Sequence, residues 1–129
     1  MGKVPHILII DDEIQIREML SQMLTREGYQ VSNASNGKEG MKICRELPVD
    51  LIITDIIMPE KDGIEMILEL RKDFQELKVI AISGGGRLGP DGYLEMAKKL
   101  GAHRTFFKPF NRKEMLEAIK ELLNVDKPA

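Results

Sequence analysis

Apolar residues along this chain fall into short unbroken runs, and each run ends on a polar group. Ile7 to Ile10 leads into Asp11-Asp12, Leu51 to Thr54 into Asp55, Val79 to Ile82 into Ser83, and Thr105 to Phe107 into Lys108. Runs of this length without polar alternation are the pattern of strands covered on both faces, as in a parallel sheet. A further strand is predicted over Tyr29–Ala34, and the first is predicted to begin at Lys3. Between the strands the apolar spacing changes to three and four, the period of a helix with one buried face. The stripes are Ile16, Met19, Leu20, Met23 and Leu24, then Met41, Cys44 and Leu47, then Ile64, Ile67 and Leu68. Leu94, Ala97 and Leu100 form the fourth, and Met115, Ile119 and Leu122 the last. Asp12 with Gln15, Asp62 with Glu65 and Asn111 with Glu114 have the spacing of helix-capping pairs, while Gly28, Pro48 and Gly101 stand where helices stop.

Strand then helix, five times over, argues an α/β fold with a parallel sheet and right-handed crossovers. In a flavodoxin-like, doubly wound (βα)5 sandwich of strand order 2-1-3-4-5, the switch point lies between the first and third strands, beyond their carboxyl ends. Asp11-Asp12 and Asp55 end those two strands. Pattern and topology therefore select the same corner for a ligand.

Composition narrows the picture. A chain of 129 residues has the apolar content for one core, and we expect a single domain over residues 1–124, a tail over 125–129 and no output domain. Charged residues make up 31% but leave a formal net charge of -2, with Lys and Arg scattered, so neither nucleic acid nor membrane insertion is expected. No apolar segment approaches a bilayer span and the N-terminus lacks a signal-peptide core, which predicts a soluble cytoplasmic protein. Cys44, the only cysteine, lies in a helical stripe and reads as a buried thiol. His6 and His103 have no Cys/His partners at zinc spacing and read as surface or packing residues.

Three carboxylates gathered at one corner repel, and must share a cation, hold protons or sit apart. A shared cation relieves all three at once. Oxygen donors without His or Cys select a hard ion, and Mg²⁺ suits a few carboxylates completed by water and phosphate oxygens. A carboxylate is also a nucleophile toward phosphorus. Lys108 can place a positive charge on one phosphate oxygen, and Ser83 a hydroxyl hydrogen bond on another.

In this combination the chain resembles the receiver domain of two-component response regulators, over essentially its whole length. The resemblance rests on Asp11-Asp12 after the first strand, Asp55 with Met58-Pro59 and Asp62-Gly63 after the third, Ser83 after the fourth and Lys108-Pro109-Phe110 after the fifth. It implies that Asp55 accepts a phosphoryl group from a sensor histidine kinase or a histidine phosphotransfer protein. It implies Mg²⁺ held by Asp11, Asp12 through water, Asp55 and the backbone carbonyl of Ile57. Ser83 and Lys108 would contact the phosphoryl group, with a cis bond at Lys108-Pro109. The implied activity is a stand-alone switch that catalyses only its own phosphorylation and dephosphorylation. A downstream protein would read the face made by the fourth helix, fifth strand and fifth helix, and a second copy of the chain, engaged on phosphorylation, is a further candidate partner.

Two departures from the family pattern stand out. The aromatic switch position, three residues before the lysine, holds Thr105, so signalling would run through Ser83, its adjacent loop and Phe106 or Phe107. The stretch Gly84 to Pro90 is glycine-rich and longer than in single-domain chemotaxis members of that family. It lacks the Gly-Lys-Ser/Thr ending of a nucleotide P-loop and reads as flexible. Two other classes compete. A haloacid-dehalogenase-type phosphatase needs a second carboxylate two residues after its nucleophile, where this chain has Ile57. A pseudo-receiver that only binds partners is opposed by the complete acidic set with Lys108 and favoured by Thr105. Taken singly, Asp11-Asp12 reads as a turn and cap, Lys108 as a solvated lysine, and Ser83 as part of a loop; the combination carries the reading.

Overall fold

Every residue of the strand His6–Ile10 (β1) is buried in the computed structural model, which describes residues 4–56, 63–83, 98 and 101–124. The same holds for Leu51–Asp55 (β3), and for all of Lys78–Ser83 (β4) except Lys78 at its start. Gln30–Ala34 (β2) and Arg104–Phe107 (β5) are half-exposed, and the reason is position. They are the edges of a five-stranded sheet of order β2-β1-β3-β4-β5. All four pairings are parallel, with Ile10 opposite Ala34 and Thr54, and Asp55 opposite Ile82. The fold is the predicted flavodoxin-like α/β sandwich.

Successive side chains of a strand point to opposite faces, so one apolar run feeds two cores. Ile7, Ile9, Leu51, Ile53, Ile80 and Ile82 pack beneath α1 (Ile14–Arg26) and α4 (Arg112–Asn124), meeting Leu20, Leu24, Met115 and Ile119. Leu8, Ile10 and Ile52 point the other way, to Met41 and Cys44 of α2 (Gly37–Glu46) and Leu70 of α3 (Gly63–Asp73). Each such Leu or Ile, fully buried, contributes about 1.5–3 kcal/mol. Two cores of this kind clamp the sheet rigidly and fix where its strand ends lie.

Cap chemistry sets the helix ends. Asn36 begins α2 by accepting the Glu39 N–H at 2.8 Å, and Asn111 does the same for Glu114 at 3.0 Å, as its spacing with Glu114 predicts. Gly28 follows α1 with φ of +92°, a conformation glycine adopts without strain. Gly40 faces β1 so closely that a Cβ there would sit 2.4 Å from Ile10 Cδ1, which explains a glycine inside a helix.

Several expectations change. Asp12 does not cap α1: the first residue outside the helix is Glu13, which makes no side-chain cap bond, and Asp11 Oδ1 takes the Glu13 N–H at 2.8 Å. Leu47 leaves the predicted stripe because the residue before Pro48 is pushed to an extended backbone, φ −127° and ψ 147°, and its side chain is exposed. On α3, Ile67 is buried as predicted but Leu68 is 49% exposed, and Leu70 takes the inward place. β1 begins at His6 and β5 at Arg104. The predicted Asp62 cap, Ile57, the glycine-rich stretch Gly84 to Pro90 and the predicted stripe Leu94, Ala97 and Leu100 lie outside the described residues, as do residues 125–129.

Candidate functional site

The carboxyl ends of β1, β3, β4 and β5 bring four of the predicted site residues to one edge of the sheet. Asp11 follows β1 directly and its N–H donates to Ala34 O at 3.1 Å, so the strand ladder continues one residue past β1 and locks it. Asp55 is the last residue of β3, and Ser83 the last of β4. The Lys108 N–H donates to Ser83 O at 2.8 Å, continuing the ladder beyond β5 in the same way. The Lys108-Pro109 bond is cis, as the family resemblance implies.

At the centre stands the Lys108 ammonium. Its Nζ lies 2.8 Å from Asp55 Oδ2, 2.9 Å from Asp11 Oδ2 and 2.8 Å from Glu13 Oε1. The Asp11 and Asp55 side chains are 0% and 6% exposed, and that of Lys108 11%. Burial works against the charge on Lys108, but the surrounding carboxylates of Asp55, Glu13 and Asp11 outweigh it and hold the ammonium above the usual lysine range. Burial raises Asp11 above the ordinary aspartate value, helped by the Asp55 charge and opposed by the Glu13 N–H and Lys108. Among the described residues, the Lys108 ammonium thus faces three carboxylates.

Asp11, Asp12, Glu13 and Asp55 each present a carboxylate oxygen, and these oxygens lie within 4.8 Å of one another. Asp11 Oδ2 is buried and close to Lys108 Nζ, yet it accepts no well-directed hydrogen bond. A buried carboxylate oxygen in that state is an available ligand, and an all-oxygen set of this density fits a hard divalent ion. Asp12 is exposed at the rim. The structure therefore brings Asp11, Asp12, Asp55 and Lys108 together and places Ser83, fully buried, at the neighbouring strand end.

Two residues enter that the motif does not name. Glu13 contributes the third carboxylate to Lys108, and its only trace in the sequence is a run of three acids, Asp11-Asp12-Glu13. Arg17, one turn into α1, donates from its guanidinium to Asp11 O at 2.7 Å and fixes the loop on which both acids stand. Below Lys108, Phe106 packs edge-on to Phe110 with ring centroids 6.4 Å apart, while Phe107 is 45% exposed and Thr105 half-buried. His6 is buried with its ring between Pro48 O at 3.2 Å and Ser32 Oγ at 2.7 Å, and His103 uses its ring to accept the Val79 N–H. His6 is thus a packing residue and His103 an exposed one, in keeping with the expected surface or packing roles. Cys44 is buried too, and that burial pushes its thiol up to about 11. Among the described residues no helix is long and apolar enough to cross a membrane.

Comparison with known proteins agrees with this geometry. Residues 7–120 match the family model of the response regulator receiver domain. The chain is similar to sporulation initiation phosphotransferase F of Bacillus subtilis, 34% identical over 91% of this chain and 92% of that protein. It is similar to the chemotaxis protein CheY of Thermotoga maritima, 36% identical over 95% of this chain and 98% of that one. Among solved structures, the response regulator TrrA of Thermotoga maritima in complex with Mg²⁺-BeF superimposes with a TM-score of 0.81 at 34% identity, covering 92% of this chain and 99% of that one.

Proposed function

Because the chain belongs to the response regulator receiver family of two-component signalling, we propose that it is a magnesium-dependent phosphorylation switch with Asp55 as its phosphoryl acceptor. The observation that carries this is the arrangement at the sheet edge: buried Asp55 bonded to Lys108 at 2.8 Å within a cluster of four carboxylates.

Asp11, Asp12 and Asp55 would hold Mg²⁺, with the backbone carbonyl of Ile57 as the family resemblance implies. An ion held there would offset the repulsion between the Asp55 carboxylate and an incoming phosphoryl group. An Asp55 oxygen attacks phosphorus as the phosphorus–nitrogen bond of a phosphohistidine breaks, giving an aspartyl phosphate and an imidazole that takes up a proton. Lys108, already within hydrogen-bond reach of Asp55, meets the charge that develops on one phosphoryl oxygen. Ser83, buried at the end of the adjacent strand, supplies a hydroxyl to another. The similar regulator TrrA was solved in complex with Mg²⁺-BeF, which is in keeping with such a site.

The donor is a sensor histidine kinase or a histidine phosphotransfer protein. The protein turns over no soluble substrate and catalyses only the making and breaking of its own acyl phosphate. A downstream protein reads the face made by the fourth predicted helix, β5 and α4, where Phe107 is exposed. The wild-type protein should incorporate radiolabel from acetyl phosphate in the presence of Mg²⁺ and lose that ability with EDTA. Asp55→Asn should incorporate none. Equal labelling of Asp55→Asn would overturn the assignment.

A further inference from the structure

We infer that Glu13 is a positioning residue for Lys108, keeping its ammonium at the mouth of the site when Asp11 and Asp55 turn their oxygens to a cation. The inference rests on the magnesium reading above. Lys108 Nζ has three carboxylate partners at nearly equal distance, but they are not equivalent. Asp11 and Asp55 are buried, and a divalent ion in the cluster competes with the ammonium for their oxygens. Like charges repel, so a divalent ion entering there drives the ammonium away from both. The Lys108 side chain is only 11% exposed and cannot give its charge to water without leaving the site.

Glu13 is the partner left over. Its side chain is 58% exposed, at the rim rather than the floor. Its backbone is fixed from both sides, the N–H donating to Asp11 Oδ1 at 2.8 Å and the carbonyl accepting from Arg17 N at 3.2 Å. The carboxylate therefore stays within reach of Lys108 while the floor of the site changes occupant. In the cation-free arrangement Glu13 is one of three partners; in the loaded arrangement it is the one left among the described residues. Losing it costs the loaded arrangement more, so its removal weakens cation binding, and does so through Lys108.

Glu13 is also close enough to act on the ion directly, as a ligand or through its charge. The two roles separate in a double-mutant cycle of Mg²⁺ affinity, read by isothermal titration calorimetry on wild type, Glu13→Gln, Lys108→Met and the double variant. The positioning role predicts that Glu13→Gln weakens Mg²⁺ binding about two- to fivefold when Lys108 is present, the size of one partly exposed ion pair, and has no effect in the Lys108→Met background. Equal weakening in both backgrounds overturns the inference, because Glu13 then acts on the ion itself. No weakening in either overturns it as well. Absence of Mg²⁺ binding by the wild type removes the magnesium reading, and this inference with it.

Discussion

Lys108 Nζ and Asp55 Oδ2 are 2.8 Å apart although 53 positions separate the two residues in the sequence. Nothing local makes that contact: it exists because β3 and β5 flank β4 in a parallel sheet and end at the same edge. Lys108 also pairs with buried Asp11 at 2.9 Å, so the same ammonium faces two buried carboxylates. Lys108→Met leaves both charges buried without it. Removing one partner of a buried ion pair costs roughly 3–5 kcal/mol, and the exposed rim at Glu13 places this variant near the lower end of that range. Chemical denaturation in EDTA should show the loss, and millimolar Mg²⁺ should restore part of it by binding only the folded state.

Lifetime is a second test of the site. The residue two positions after Asp55 is Ile57, whose side chain carries no group able to orient a hydrolytic water. The aspartyl phosphate of purified protein is expected to persist for minutes or longer. Decay within seconds, followed by label release after the phosphodonor is removed, would contradict this.

Cys44 supplies a prediction about pH. Burial raises its thiol from 9.0 to about 11, so the folded chain keeps a proton that the unfolded chain releases. Between those values the unfolded state binds fewer protons, and stability falls as pH rises. A shift of this size corresponds to about 2–3 kcal/mol, fully present below the unfolded pKa and lost as pH climbs through the folded one. Cys44→Ala lacks the group, so urea midpoints measured from pH 8 to pH 11 should fall more steeply for the wild type than for the variant. Parallel curves would show that the thiol is not protected.

Helix α2 offers a test of local structure. Asn36 accepts the Glu39 N–H at 2.8 Å at the helix start, and Asn36→Ala removes that acceptor. The expected loss is about 1 kcal/mol, read as a lower urea midpoint with an unchanged slope. Phosphorylation should be unaffected.

Much of this was legible in the chain. The uninterrupted run Leu51–Ile53 marks a strand buried on both faces, and where such a strand ends is where a parallel sheet presents its ligands. Asp11, Asp12, Asp55 and Lys108 were readable for that reason. Period reading failed where a local rule overrode it. Pro48 turned Leu47 out of its helix, and the stripe on α3 followed Ile67 and Leu70 rather than Leu68. Asp12 has a cap's spacing, yet the Glu13 N–H went to Asp11, whose carboxylate is drawn inward by Lys108. Glu13 itself was hidden because its role depends on a side chain 95 positions away, a relation that no local pattern encodes.

The most direct measurement is peptide-mapping mass spectrometry after incubation with Mg²⁺ and acetyl phosphate, with EDTA as the control. A single phosphoryl group on the peptide containing Asp55, trapped at that residue and absent with EDTA, is the predicted result. Modification elsewhere, or an unmodified chain under conditions where Mg²⁺ is bound, would contradict the claim that this carboxylate is the acceptor.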